Sequence, residues 1–471
     1  MCRFDFKVSP KMTPVLDKDF QPASLVNRAF LDMVEKSDKG VLLAIELERS
    51  NGLTSTYRTK VFSEDSDYAE SNLFYVERLL KTLLWQKGGW KITIGGPRSI
   101  GEYIEKVYSD GGLRAFDAKF MSRVYEKEFT VKTTDYDSVP NSCEDSNPIG
   151  RHLEGCRIGF DAGGSDRKVS AVIDGEVVYS EEVIWHPKVN SNPDYHYNEI
   201  LKAIKTAAAK MPRVDAIGVS AAGIYVNNRI MVASLFLEVQ EDLFNAKVKD
   251  MFINIAKEMG DVPLEVANDG DVTALAGAMD IEDTNVLGLA MGTSEAGGFI
   301  DAKGNITGWL NELAFIPVDF NPKSMVDEWS GDFGCGVKYF SQDAVIKLAP
   351  AAGIQLEKKH TPAEKLQAIH DLHAKGDTRT KLIFESIGCY LGYAVAHYTD
   401  FYDIKHVLVL GRVTSGDGGN IIVETAKKVL QVEFPTIAER VTIHLPDETN
   451  RRVGQSIAAA SLPKIKPGVA V

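Results

Sequence analysis

The sequence is sparing with cysteine: five occur in 471 residues, at positions 2, 143, 156, 335 and 389, and none forms a Cys-x-x-Cys pair. An odd, scattered set excludes a disulfide framework and reads as reduced thiols, which places the protein in the cytoplasm. No run of about 18 apolar residues occurs, so no segment is suited to crossing a bilayer, and the opening "MCRFDFKVSPKM" lacks the apolar core of an export signal. Positive charge is also scarce, with 53 Lys and Arg against 66 Asp and Glu and a formal net charge of −13. Residues 1–150 carry 21 basic and 23 acidic side chains, so nearly all the excess acid lies in residues 151–471. Neither part has the basic surplus that nucleic acid or an anionic membrane requires. Low-complexity tracts and coiled-coil repeats are missing too, which leaves a globular protein long enough for two or three domains.

What is present reads as α/β. "GVLLAIELERSNGLTSTYRTKVF" predicts a hairpin turning at Asn51-Gly52, a dipeptide suited to positive φ. "NLFYVERLLKTLLWQ" has helical apolar spacing, "WKITIGG" reads as a strand, and Pro97 is placed to start a helix over "PRSIGEYIEKVY". Between Tyr136 and Gly155 periodicity is lost and Pro, Asn, Ser and Asp gather, the composition of a linker. The expected domains are therefore 1–150, 151–284 and 285–471. The second opens with three meandering strands from "CRIGFDAGG" and continues helix, strand, helix, strand, helix, with one helix expected across "EDLFNAKVKDMFINIAKEM". The third repeats the plan from "NVLGLAMG" and "AGGFID" through a long helix from Lys381 to "HVLVLG", "NIIVETAKKVLQ", "RVTIHL" and "RRVGQSIAAASL".

Three glycine-bearing segments carry the chemistry. Asp161-Ala162-Gly163-Gly164-Ser165 ends a strand with a carboxylate, two glycines and a hydroxyl, so backbone N–H groups and Ser165 can approach phosphate oxygens while Asp161 faces a hydrated Mg²⁺. The plainer alternative is a Gly-Gly hairpin connection. "LAMGTSEAGGFID" interrupts a second pair of strands between Gly292-Thr293 and Gly297-Gly298, as a loop able to close over a nucleotide's phosphates. "HVLVLGRVTSGDGGN" ends a strand at Gly411 and starts a helix near Gly416, a geometry in which nucleotides settle on backbone donors.

In that order, with "EVANDGDVTALAGAM" between the first two, these segments resemble the ROK family of sugar kinases and repressors, over about Arg157 to Leu462. The resemblance implies an actin-like two-lobed ATPase fold, with ribonuclease H-like lobes, behind an α/β N-terminal domain. It implies ATP with Mg²⁺ at Asp161, and a sugar bound deeper in the cleft. Gly163, Gly164 and Ser165 become the first phosphate loop, Gly292, Thr293, Gly297 and Gly298 the second, and Gly411 and Gly416 the adenosine segment. Asn268 and Glu312 become sugar ligands. Asp269 becomes the base that takes the proton of the attacking hydroxyl, kept ionised by the dipole of the helix it begins. Without the family, Asn268 or Asp269 would be a helix cap.

The chain departs from the family pattern after the second loop. The usual Glu-x-Gly-His is Glu312-Leu313-Ala314-Phe315, and the Cys-x-Cys-Gly-x-x-Gly-Cys zinc cluster aligns with "EWSGDFGC", keeping Cys335 but placing Glu328 and Ser330 at two cysteine positions. A tetrahedral zinc site is not expected here, and a further sugar-contacting Glu is replaced by Val337. His370 and His373 read as a solvated helix face rather than a metal site, Trp85 and Trp90 as packing of the front domain, and "SEDSDYAES" as an exposed loop. The first 150 residues lack a basic recognition helix, so DNA binding is not expected. The expected function is an ATP-dependent sugar kinase in the cytoplasm, without membrane or nucleic-acid partners and possible as a homo-oligomer. The alternative is a non-catalytic sugar- or nucleotide-sensing regulator on the same scaffold.

Overall fold

The fold, taken from a computed structural model, is described over residues 8–144, 149–446 and 448–465. The chain forms two compact units that cut across its linear order. One collects residues 8–144, 289–297 and 309–445; the other collects 149–288, 298–308, 446 and 448–465. The front residues are thus grouped with the 309–445 segment, and the first change of unit falls inside the aperiodic stretch after Tyr136.

The second-named unit is built on a five-stranded sheet in the order Leu264–Asn268, Ala216–Ala221, Cys156–Ala162, Asp166–Ile173, Glu176–Ile184. The first three strands are parallel and the last two antiparallel, as three meandering strands followed by crossover helices require. Alternation along the central strand sends Ile158 and Phe160 into a core with Ile200 and Ile204 of the helix Pro193–Ala208. Gly159 faces the other way, and a Cβ there, or at Gly218, would collide with the backbone of the helix Glu448–Ala460 at Ser456 or Ala459. Buried Arg157 donates to Ala460 O at the end of that helix at 3.4 Å and to Pro463 O beyond it at 2.7 Å. The single helix expected over 241–259 is broken. A π-type turn at Phe244–Val248 separates Glu241–Leu243 from Met251–Glu258 and turns both Phe244 and Val248 into the core.

In the first-named unit the predicted hairpin pairs Gly40–Glu48 with Thr54–Phe62, and Asn51 and Gly52 take φ of 61° and 73°. The sheet continues to Lys91–Gly95 and, in parallel, Thr130–Thr134. Pro97 sits one position outside its helix, at the N-cap of Arg98–Tyr108. The helices Ala23–Lys36 and Ala115–Tyr125 complete this layer. A second sheet runs Glu295–Ile300, Val286–Met291, His406–Leu410, Thr442–His444, and residues 295–297 and 289–291 of its first two strands belong to this unit. The helix Thr378–Tyr398 lies against Asp417–Glu433, where Gly388 and Gly392 admit the neighbouring backbone. Arg28 of the front helix donates to Ala396 O at 3.2 Å and to Asp400 at 3.1 Å, and the Asp17 carboxylate accepts from Tyr390 at 2.6 Å. Trp85 is fully buried, as expected of a packing residue. Among the described residues no helix is long and apolar enough to cross a membrane.

Candidate functional site

Asp161 is the penultimate residue of the central strand Cys156–Ala162. Ser220, from the adjacent strand, donates to its Oδ1 at 2.9 Å, and Lys168 lies 3.9 Å from Oδ2. Burial raises its pKa against the opposing pull of Lys168 and Ser220. The chain then turns tightly through Gly163-Gly164-Ser165, held by the Trp185 indole donating to Gly163 O at 2.7 Å. A Cβ at Gly164 would meet the Lys188 amine at 2.8 Å, so that lysine lies over the turn. Two ammonium groups thus border the first predicted phosphate loop, and the sequence reading named neither. Lys168 was legible, being two residues from Asp166 on the same strand face; nothing local marks Lys188.

Asn268 ends the edge strand beyond that of Ser220 and caps the helix Asp269–Asp280, accepting from Gly270 N at 2.7 Å while its amide donates to Gly223 O at 2.8 Å. Asp269 accepts from the same Gly270 N–H at 3.0 Å. The helix terminus does not hold this carboxyl at its ordinary value: burial, and then the charge of Asp161, push it up to about 6. The expectation of a dipole-stabilised carboxylate is corrected accordingly, because desolvation outweighs the helix-end amide. Asp161 and Asp269 therefore share one electrostatic environment within this unit. Gly298, expected to bind phosphate, lies in a strand where a Cβ would strike the Gly270 backbone, and Phe299 N donates to Asp271 at 3.1 Å. Its missing side chain lets the strand approach the helix that begins at Asp269.

In the other unit, Gly411 takes φ of 98°, and a Cβ there would collide with the Met291 carbonyl. That close approach sets the predicted adenosine segment beside the predicted second phosphate loop. The Arg412 guanidinium donates to Thr293 Oγ1 at 2.9 Å, and His370 Nε2 lies 2.9 Å from Arg412 O. Gly416, with φ of 67° and open space around it, precedes the helix Asp417–Glu433. Next to these residues lies a cavity of about 710 Å³ lined by Arg412, Ser415, Gly416, Asp417, His370 and His373, among others. The loop at Gly292 is shorter than expected, since the next strand resumes at Glu295 rather than at Gly297. Gly297 lies inside that strand, against Asn311 and Leu313.

Glu312 is half-buried, and its backbone N–H donates to Trp85 O at 3.1 Å. Its charge helps burial raise the pKa of Glu295 well above the usual carboxylate range. Both Glu295 oxygens and the Tyr398 hydroxyl beside them are buried, and the Tyr398 hydroxyl opposes the rise. The positions aligned with a zinc cluster are otherwise engaged. Phe315 stacks on Trp85 at 4.1 Å between centroids, Glu328 pairs with Lys338, and Ser330 donates to Asp327 at 2.6 Å. Cys335 lies 3.9 Å from Asp332 Oδ2. Asp332 is the hub of a buried network, accepting from Arg78 at 2.9 Å and Arg114 at 3.0 Å and pairing with Lys81 at 2.9 Å. Among the described residues no group of three or more His, Cys, Asp or Glu side chains is arranged to hold a metal ion.

Residues 157–458 match the family model described as "ROK family". No curated protein sequence matches the chain. Among solved structures, the ROK hexokinase from Thermus thermophilus is similar at 17% identity and a TM-score of 0.50, over 64% of this chain and 97% of its own. A ROK family transcriptional regulator, a homolog of the E. coli MLC protein, is similar at 19% identity and a TM-score of 0.52, over 66% of this chain and 79% of its own. A ROK family glucokinase from Streptomyces griseus, solved with glucose and AMPPNP, is similar at 20% identity and a TM-score of 0.47, over 66% and 99%. The fold is that of the actin-like ATPases, preceded by a further α/β region of about 150 residues. Since the family model spans well over half of its length, the chain belongs to the ROK family.

Proposed function

We propose that the protein is an ATP-dependent sugar kinase of the cytoplasm, acting on a small-molecule sugar. The observation that carries this reading is Asp269, a half-buried carboxyl at a strand-to-helix junction, raised to about 6 and therefore mostly ionised at neutral pH yet basic enough to accept a hydroxyl proton. Asn268 and Glu312 bind the sugar in this reading. The turn Gly163–Ser165, bordered by Lys168 and Lys188, receives phosphate oxygens on backbone N–H groups. Gly292 and Thr293 serve the second phosphate loop, Gly297 and Gly298 being taken up in the strand that follows it, and Gly411 and Gly416 bring the nucleoside to the cavity beside Arg412. Asp161 would hold Mg²⁺ as a hard oxygen donor, with Lys168 3.9 Å from its Oδ2. When bound, the ion supplies charge neutralisation on the phosphates.

One observation favours a second reading, a sugar-sensing regulator without turnover. Phe315 lies stacked on Trp85 where related kinases carry a sugar-binding histidine. Both readings are tested by ADP release over a panel of sugars. Sugar-dependent release that disappears in Asp269→Asn supports the kinase. Saturable sugar binding without ADP release over the whole panel supports the regulator.

A further inference from the structure

The front residues enclose a second cavity, of about 260 Å³, wholly within the unit that holds them. Its apolar wall comes from Ile45, Leu47 and Leu83, and three aromatic side chains, Tyr57, Trp309 and Phe401, also line it. Tyr57 and Phe401 lie 5.6 Å apart, centroid to centroid. Ser55, Thr56 and Ser142 add hydroxyls at the same wall. This mixture, flat apolar surfaces with a few polar groups, is characteristic of small-molecule sites.

The charges around the cavity do not balance. Arg49 is paired with Glu144, which also accepts from Ser55 and, at 3.3 Å, from the Trp309 indole. Asp400 is paired with Arg28 at 3.1 Å. The remaining charged group is Lys87, the last residue of the helix Ser71–Lys87. Its Nζ sits 2.8 Å from the centre of the Trp309 ring and makes no hydrogen bond or ion pair with any described residue. An amine group so placed, against an aromatic face and with no hydrogen-bond partner among the described residues, is left with unused donors at a cavity wall.

We propose that this cavity binds a small hydroxylated anion of monosaccharide size, a sugar acid or a sugar monophosphate, with its anionic group on Lys87 and its ring on the aromatic side chains. The site is separate from the residues assigned to ATP and sugar above and does not depend on the kinase reading. Burial, opposed by Glu144 and reinforced by Arg49, pulls Lys87 down to about 7, so the empty cavity holds a largely neutral amine above that pH. Tyr57, pushed up to about 12, and Asp400, raised by burial, also border the cavity and stay in one protonation state near pH 8. A bound anion restores the ammonium, so binding at pH 8 takes up a proton.

The test uses the full chain, with glucose 6-phosphate, glucuronate and neutral glucose as probes. Calorimetry at pH 8 in two buffers of different ionisation enthalpy reads affinity and proton uptake together. Reductive methylation followed by mass spectrometry reads protection of Lys87 in the unaltered protein, so the result does not hang on a variant that folds. The expected result is proton uptake and Lys87 protection by at least one anion, no protection by glucose, and affinity reduced at least about tenfold in Lys87→Met but unchanged in Asp269→Asn. Preference between the two anions separates phosphate from carboxylate as the recognised group. The proposal is overturned if neither anion protects Lys87, if glucose protects it equally, or if Lys87→Met binds as tightly as the parent.

Discussion

Two carboxylates withdrawn from solvent, Asp332 buried and Asp269 half-buried, one in each unit, take opposite electrostatic paths. Asp332 is only 3% exposed, yet Arg78, Lys81 and Arg114 hold it far below the usual carboxylate range against the cost of burial. Asp269 has no cation among the causes of its shift; burial and Asp161 both act against ionisation, and its pKa rises to about 6. Burial penalises both equally in kind, so the partners decide the outcome. A carboxylate with three cations is locked in one charge state and fastens the fold. One facing another carboxylate is poised to take up a proton.

The largest expected effect therefore belongs to Asp269→Asn. Removing a general base costs about 10²- to 10⁴-fold in rate, while the amide should still accept from Gly270 N and preserve the helix start. Turnover measured with saturating sugar should collapse, whereas nucleotide binding followed by calorimetry should change little. Full activity in this variant would remove Asp269 from the mechanism and erase its contrast with Asp332.

Asp332→Ala should instead leave chemistry aside and unfold the protein more easily. Deleting the hub leaves Arg78, Lys81 and Arg114 facing Glu77 and Asp117 alone, and breaking a buried pair in this way costs about 3–5 kcal/mol. Denaturant titration reads that loss directly. The depressed folded pKa gives stability that is fully present above the unfolded carboxylate value of about 4 and is lost as pH falls toward the folded value. Acid should therefore narrow the difference between the variant and its parent.

Gly411→Ala tests the other side of the nucleotide reading. The residue has φ of 98°, and a Cβ there would strike the Met291 carbonyl, so a methyl group strains both the backbone and the contact. A left-handed non-glycine conformation costs of order 1–3 kcal/mol. The variant should weaken nucleotide binding more than sugar binding, since the displaced segment carries Arg412 and its bond to Thr293. Equal loss of both would detach Gly411 from the nucleotide.

The sequence made some of this legible and hid the rest for identifiable reasons. The hairpin at Asn51-Gly52 and the capped helix at Asn268 could be read because φ > 0 and capping are demands met by a few residue types within a short span. The ROK segments were readable through the order of their glycines, although Gly298 turned out to serve a close approach as well. The network around Asp332 was not readable. Glu77, Arg78 and Lys81 on a helix suggest a solvated face, and only tertiary contact with a residue some 250 positions away buries them. Nor did the break at Phe244–Val248 announce itself, since the apolar spacing there suits one continuous helix. The cavity at Lys87 was equally hidden, because its walls come from segments distant in the chain.

Glu295 adds a second carboxyl with no cation among the causes of its shift, and its effect should be the smallest. Both oxygens are buried, and its pKa is raised first by burial and then by Glu312. A raised folded pKa favours folding fully below the unfolded value of about 4.3, and this contribution is lost as pH rises toward the folded value. Glu295→Gln removes that titration while keeping the shape. At pH 4 the variant should be no more stable than its parent. Between pH 4 and 8 the difference should move in the variant's favour by at most about 1.4 kcal/mol per pH unit. Thermal unfolding at pH 4, 6 and 8 measures this. A difference independent of pH would mean that the buried carboxyl keeps its ordinary pKa, so that burial without a cation is not enough to set the behaviour of Asp269 apart from that of Asp332.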